Sequence, residues 1–155
     1  HGEFLTETRG TGIMSRMFHG YAPHMGSIPG RRNGVLISNA SGKSVAYGLA
    51  GLEGRGPLFI TSGVQVYEGM IIGEHSRGND LEVNPMKSKQ LTNIRASGTD
   101  ESVRLTPPRR ISLEQAIAYI QDDERVEVTP GFLRLRKQYL DPHERKKAAR
   151  SADAG

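Results

Sequence analysis

The densest set of side chains able to do chemistry lies in VYEGMIIGEHSRGNDLEVNPMKSKQLTNIRASGTDESVRL, residues 66–105, between two apolar runs. His75 is followed closely by Arg77, Asn79 and Asp80. A histidine beside a carboxylate can form an acid–base pair, so one reading is a small hydrolase using His75 and Asp80. That reading lacks a nucleophile, because no serine stands in an elbow-type turn and the chain contains no cysteine. The same stretch offers a second chemistry. Arg77, Lys87, Lys89 and Arg95 outnumber Asp80 and Glu82, and Asn79, Asn84, Gln90 and Asn93 are interspersed. Such cations neutralise phosphates, while side-chain amides pair with base edges and sugar hydroxyls. Contacts within the protein would use the same residues. No Phe, Tyr or Trp lies between Gly73 and Val103, so base stacking is not the mode of this arm.

Two other patterns carry less. Gly42, Lys43 and Ser44 resemble the end of a phosphate-binding loop, but the first glycine of that motif would fall on position 37, which is Ile. The stretch that follows, SVAYGLAG, reads as a strand, so a hairpin turn is the expectation there. The histidines, His1, His19, His24, His75 and His143, include no pair at one helical turn, and without cysteine they make no metal set.

Charge is unevenly spread. The formal net charge is +4, yet residues 134–150 alone hold seven cations (Arg134, Arg136, Lys137, Arg145, Lys146, Lys147 and Arg150) against Asp141 and Glu144. A cluster of this kind is the footprint of a polyanionic partner, or a solvated basic terminus. No apolar run reaches the roughly twenty residues of a membrane span, and the lack of cysteine suits a reducing cytoplasm.

The elements that must position these residues follow from periodicity and turn chemistry. Residues 3–9 read as the last turns of a helix closed by Gly10, and Gly12–Tyr21 reads as a strand. One helix and one strand bury no core, so residues 1–26 are expected to complete a domain whose earlier part is missing. APHMGSIPGRRNG is the linker. From Gly34 short strands are expected at VLIS, SVAYGLAG, PLFI and QVYEGMIIG, with another at Val103 and Leu105. About thirty residues separate those last two, far beyond an ordinary connection, so the segment is read as a projecting arm anchored at its base by Leu81, Val83, Met86, Leu91 and Ile94. Ser112 with Gln115 forms a capping box, opening a helix whose apolar face is Leu113, Ala116, Ile117 and Ile120. The acids at positions 122–124, at the end where the helix dipole disfavours them, should end it in fraying or a turn. Arg125–Val128 and Phe132–Arg136 are two more strands, and Asp141, Pro142 and Glu144 start a basic helix.

The strings GEFLTETRGTGIM, GRRNGVLIS, VYEGMIIGEHSR, NDLEVNP, QLTNIRASGTDE, VRLTPPR, LEQAIAYIQDDE, VEVTP and LRLRKQYL closely resemble the C-terminal part of the TypA/BipA ribosome-associated translational GTPases. The resemblance covers all but the last few residues. It implies an α+β fold: a β-rich mixed or antiparallel sheet domain, residues 27–155, with a long projecting loop and two helices. Residues 1–26 would be the last helix and strand of a truncated ferredoxin-like fifth domain. It also implies a ribosome-docking module contacting large-subunit rRNA and the acceptor end of an A-site tRNA, with roles in large-subunit assembly and stress adaptation. GTP and magnesium would belong to a missing N-terminal domain, leaving no catalytic residue, metal or cofactor here. The candidate RNA contacts are His75, Arg77, Asn79, Lys87, Lys89, Asn93, Arg95, Arg134, Arg136, Lys137, Arg145, Lys146 and Lys147.

Overall fold

The computed structural model describes residues 2–24, 31–88 and 103–152. Its elements in chain order are α1 (Gly2–Glu7), β1 (Val35–Ser38), β2 (Gly42–Lys43), α2 (Ala46–Glu53), β3 (Gln65–Val66), β4 (Met70–Glu74), β5 (Leu81–Val83), α3 (Leu113–Tyr119), β6 (Glu124–Val128), β7 (Leu133–Lys137) and α4 (Pro142–Ala152). The fold is α+β, as expected. A five-stranded mixed sheet runs β5-β1-β4-β7-β6, beside a two-stranded ribbon of β2 and β3. β1 pairs antiparallel with β4 and parallel with β5.

Both faces of the sheet are covered, which is why β1 and the start of β4 read as unbroken apolar runs rather than alternating ones. Leu36, Ile72 and Val83 pack with Leu49 of α2, together with Leu58, Val66 and Met70. Val35, Ile37, Ile71 and Leu135 pack with Ala116 of α3. A bulge lets one apolar run serve both layers: Leu36 faces Gly73 while Ile37 faces Ile71, so the ladder skips Ile72.

The capping box of α3 is formed, with the Ser112 hydroxyl accepting from Gln115 N and the Gln115 side chain accepting from Ser112 N. At α4 the Asp141 carboxylate accepts from the backbone N–H groups of His143 and Glu144 at 2.6 and 3.1 Å. The acids after α3 do form a turn, at Asp122 and Asp123.

Several expectations are corrected. PLFI forms no strand, only an isolated bridge from Leu58 to Gly73, and Gly42 and Lys43 are strand β2 rather than a hairpin turn. SVAYGLAG holds the helix α2, not a strand; burial of Leu49 in the first core cluster and the contact with Pro85, rather than any periodicity of its own, seat it. QVYEGMIIG is two strands, because Gly69 turns the chain at φ +82°. Val103 and Leu105 form no strand: Thr106 N donates to the Glu53 carboxylate instead of to a ladder, and Leu105 packs against the first core cluster. Gly12–Tyr21 forms no strand and joins no sheet among the described residues, with Ile13, Met17 and Tyr21 more than nine-tenths exposed, since no described strand lies alongside to bond it. On α3, Leu113 and Ile117 are exposed, and Ala116, Tyr119 and Ile120 make the buried side.

Candidate nucleic-acid interface

The central question for each cation is whether its charge is spent inside the fold. Lys137 is only 2% exposed. Its ammonium lies 2.7 Å from Asp123 and 3.0 Å from Glu124 and also meets Asp80. Glu124, itself fully buried, receives both arms of Arg31, at 2.8 and 3.0 Å. Burial alone would lower the Lys137 ammonium, but its bonds to Asp123 and Asp80 and the nearby Glu124 charge raise it above its ordinary 10.5. Lys137 therefore drops out of the expected RNA contacts, because a buried ion pair of this kind cannot release its cation without stranding the carboxylates.

Arg145 is likewise structural. Its guanidinium bonds Glu82 of β5 at 2.9 Å and the Tyr139 carbonyl at 3.0 Å, pinning the first turn of α4 to the strand that leads into the arm. Arg134 pairs with Glu127 at 3.3 Å and lies 4.8 Å over the Phe132 ring. Glu127 is held in turn by Tyr67, whose hydroxyl donates to it, and that bond with the Arg134 contacts keeps the Glu127 carboxyl below its usual range. Arg136 is half-buried and donates to the Lys137 and Gln138 carbonyls.

The acid–base reading of His75 and Asp80 is not supported by their geometry. His75 is buried with Nδ1 against the Asn79 carbonyl. Asp80 accepts from Val35 N at 2.9 Å and pairs with Lys137. Both close the turn that starts β5. Ser44 is also occupied within the chain: its hydroxyl donates to the Thr61 carbonyl and accepts from Val64 N.

Of the expected contacts, those still open to solvent among the described residues are Arg77 and Asn79 in the turn before β5, Lys87 just beyond it, and Lys146 and Lys147 on α4, where Arg150 is exposed as well. Lys89, Asn93 and Arg95 lie outside the described residues. The roots of the arm are nonetheless fixed. On the outgoing side Val45 N donates to the Pro85 carbonyl at 3.0 Å, and a Cβ on Gly48 would meet that carbonyl at 2.6 Å. On the return side Thr106 N donates to Glu53. The two roots thus grip opposite ends of α2, about 12 Å apart at 1.5 Å of helical rise per residue. Sequence reasoning missed this clamp because it missed α2. It also missed Arg109 and Arg110, whose position after two prolines was a signal of an exposed, ordered run.

Residues 33–142 match the family model of the TypA/BipA C-terminal domain. The chain is similar to the large ribosomal subunit assembly factor BipA of Escherichia coli K12, 54% identical over 150 residues, or 96% of this chain and 25% of the relative. The proteins of the same name in Haemophilus influenzae and Buchnera aphidicola are 53% and 52% identical, over 97% and 96% of this chain. The chain spans about a quarter of the length of these relatives. With the family model covering most of its residues, including both roots of the arm and every strand of the sheet, the chain belongs to the TypA/BipA family.

Proposed function

We propose that this domain docks its parent protein on the RNA of the large ribosomal subunit in the cytoplasm, with the arm reaching toward the acceptor end of an A-site tRNA. The observation that carries the reading is the clamp on α2. It holds the two ends of a polar, cation-bearing segment at a fixed spacing, while the Glu82–Arg145 pair sets the exposed cations of α4 beside the outgoing root. Arg77, Lys87, Lys89 and Arg95, with Asn93 among them, and Lys146 and Lys147 are the phosphate and sugar contacts in this reading; the buried Lys137 and the ion-paired Arg145 shape the surface. Residues 1–26 belong to a neighbouring ferredoxin-like unit of the parent, and GTP and magnesium are handled by its other domains. The name borne by the relatives, large ribosomal subunit assembly factor, supports the choice of partner.

Co-sedimentation of this chain with purified large subunits over a salt series tests the reading. Replacing Lys87 and Lys89 together by Ala is expected to weaken binding and to reduce the log–log salt slope by about one to two units, as the loss of two phosphate contacts requires. Wild-type binding by that double variant at two salt concentrations would remove the arm from the interface.

A further inference from the structure

A second surface, lined by none of the residues that root the arm, has the chemistry for RNA. A groove of about 530 Å³ opens between residues 109–111 and the turn joining β6 to β7. Its floor is apolar, formed by Ile71, Leu135 and Phe59, and its rim carries Arg109, Arg110, Phe132 and Arg134. That volume lies within the range of about 300–1,000 Å³ typical of sites for small organic groups. No carboxylate lines it. The rim is held in place: Arg109 N donates to the Leu58 carbonyl at 2.8 Å, and Phe132 N and the Phe132 carbonyl both bond Thr129 across the turn.

Phe132 is the informative residue. It is 62% exposed although it is a large apolar ring. One face is covered by the Arg134 guanidinium at 4.8 Å, so the ring is oriented and electronically polarised while most of its surface remains open. Arg110 is exposed and enters no ion pair among the described residues. Arg109 pairs with Glu74 but keeps 52% of its side chain exposed. An open aromatic face beside accessible guanidinium groups is the arrangement that binds an unstacked base and its phosphate. The arm has no aromatic of its own, so this groove supplies what the arm lacks.

We propose that this groove takes one unpaired nucleotide of an RNA strand, with the base stacked on the open face of Phe132 and the phosphate held by Arg110 and Arg109. The proposal rests on the reading of the domain as an RNA-docking module, but it concerns a separate surface and is tested without ribosomes. The chain contains no tryptophan, so Phe132→Trp places a single reporter at the stacking position. Its emission should be quenched by a single-stranded hexauridylate and much less by the same strand in a duplex. With fluorescein-labelled hexauridylate, Phe132→Ala should weaken binding about 5- to 150-fold, the range for loss of one base–aromatic stack. Arg110→Ala should reduce the log–log salt slope by about 0.7, the loss of one single-strand phosphate contact. Both side chains are exposed, so melting midpoints should stay near wild type and show that the variants fold.

The inference is overturned if the oligonucleotide fails to bind, or if Phe132→Ala and Arg110→Ala bind it like wild type. It is also overturned if free uridine monophosphate quenches the Phe132→Trp protein with the same affinity as the hexamer, which would make the groove a free-nucleotide site. Each of these results leaves the sedimentation experiment untouched. A wild-type chain that fails to sediment with subunits would end the docking reading instead.

Discussion

Arg31 and Glu124 form a two-armed pair, Nη1 to Oε2 at 3.0 Å and Nη2 to Oε1 at 2.8 Å, with side chains 8% and 0% exposed. The pair ties the approach to β1 to the first residue of β6, and Lys137 completes it from β7. Removing one partner of a buried pair costs more than the pair contributes, because the other charge is left without compensation. Arg31→Ala should therefore destabilise the domain by about 3 kcal/mol, the lower end of that range, since Glu124 keeps Lys137. Arg31→Lys should recover only part of this, because an ammonium cannot match both carboxylate oxygens. Urea denaturation gives the comparison, and an unshifted midpoint for Arg31→Ala would show that Lys137 alone satisfies Glu124.

The same cluster sets the pH dependence of stability. Burial pushes the Glu124 carboxyl up, but the bonds from Arg31 and Lys137 outweigh it and hold the group below its ordinary 4.5. A carboxyl depressed in the folded state adds stability above its unfolded value, and that stability is lost as pH falls through the folded value. Lys137 has the opposite sign. Raised above 10.5, it contributes fully below that pH and loses its contribution as pH climbs through the folded value. Urea midpoints should be level between these limits and fall on both sides. Glu124→Gln should flatten the acid limb, leaving the slope contributed by Glu114, Glu127 and Asp141, which are also depressed.

Two glycines of α2 should respond in opposite directions to the same change. Gly51 has nothing within 4 Å of an added Cβ, so Gly51→Ala should stabilise by about 0.5–1 kcal/mol through helix propensity alone. At Gly48 the added atom would meet the Pro85 carbonyl oxygen at 2.6 Å and its carbon at 2.9 Å. Backbone cannot step aside cheaply, so Gly48→Ala should lower the melting midpoint despite the better helix former. Equal effects at the two positions would mean that the outgoing root of the arm is not seated on α2.

Those glycines also explain which parts of the fold were legible in the sequence. The capping box of α3, the Asp141–Pro142 start of α4 and the β6–β7 hairpin depend on neighbours within a few residues, and each formed where local chemistry placed it. α2 did not announce itself, because AYGLAG has two glycines and no clear period; it is seated by the burial of Leu49 and by Pro85, partners that lie far along the chain. β5 was hidden for a similar reason: Leu81 and Val83 are two apolar residues in a polar stretch, and only a parallel partner in β1 makes them a strand. For the interface, the count of cations was visible but their division was not. Lys137 and Lys146 look alike in sequence, yet Asp80, Asp123 and Glu124 converge on the first, while the second stands in solvent.

Arg145 distinguishes a cation that holds the surface together from cations that contact a partner. Its bonds to Glu82 and to the Tyr139 and Leu140 carbonyls fasten the first turn of α4 to β5 and the chain before it. A partly exposed ion pair contributes little to global stability, about 0–1 kcal/mol, so Arg145→Gln should barely move the melting midpoint. Locally the effect should be large, because no side chain of α4 belongs to either core cluster among the described residues, and a helix of eleven residues is marginal without tertiary support. Trypsin should then cleave after Lys146 and Lys147 faster than in wild type, and the amides of α4 should exchange faster while those of β4 do not. Binding to large subunits should weaken with a slope close to wild type, since the exposed cations are still present but no longer held beside the arm. Lys146→Ala with Lys147→Ala should do the reverse, lowering the slope with no change in cleavage elsewhere in the chain. If Arg145→Gln leaves proteolysis and exchange of α4 unchanged, the Glu82 contact does not position the helix, and the basic surface beside the arm loses its structural basis.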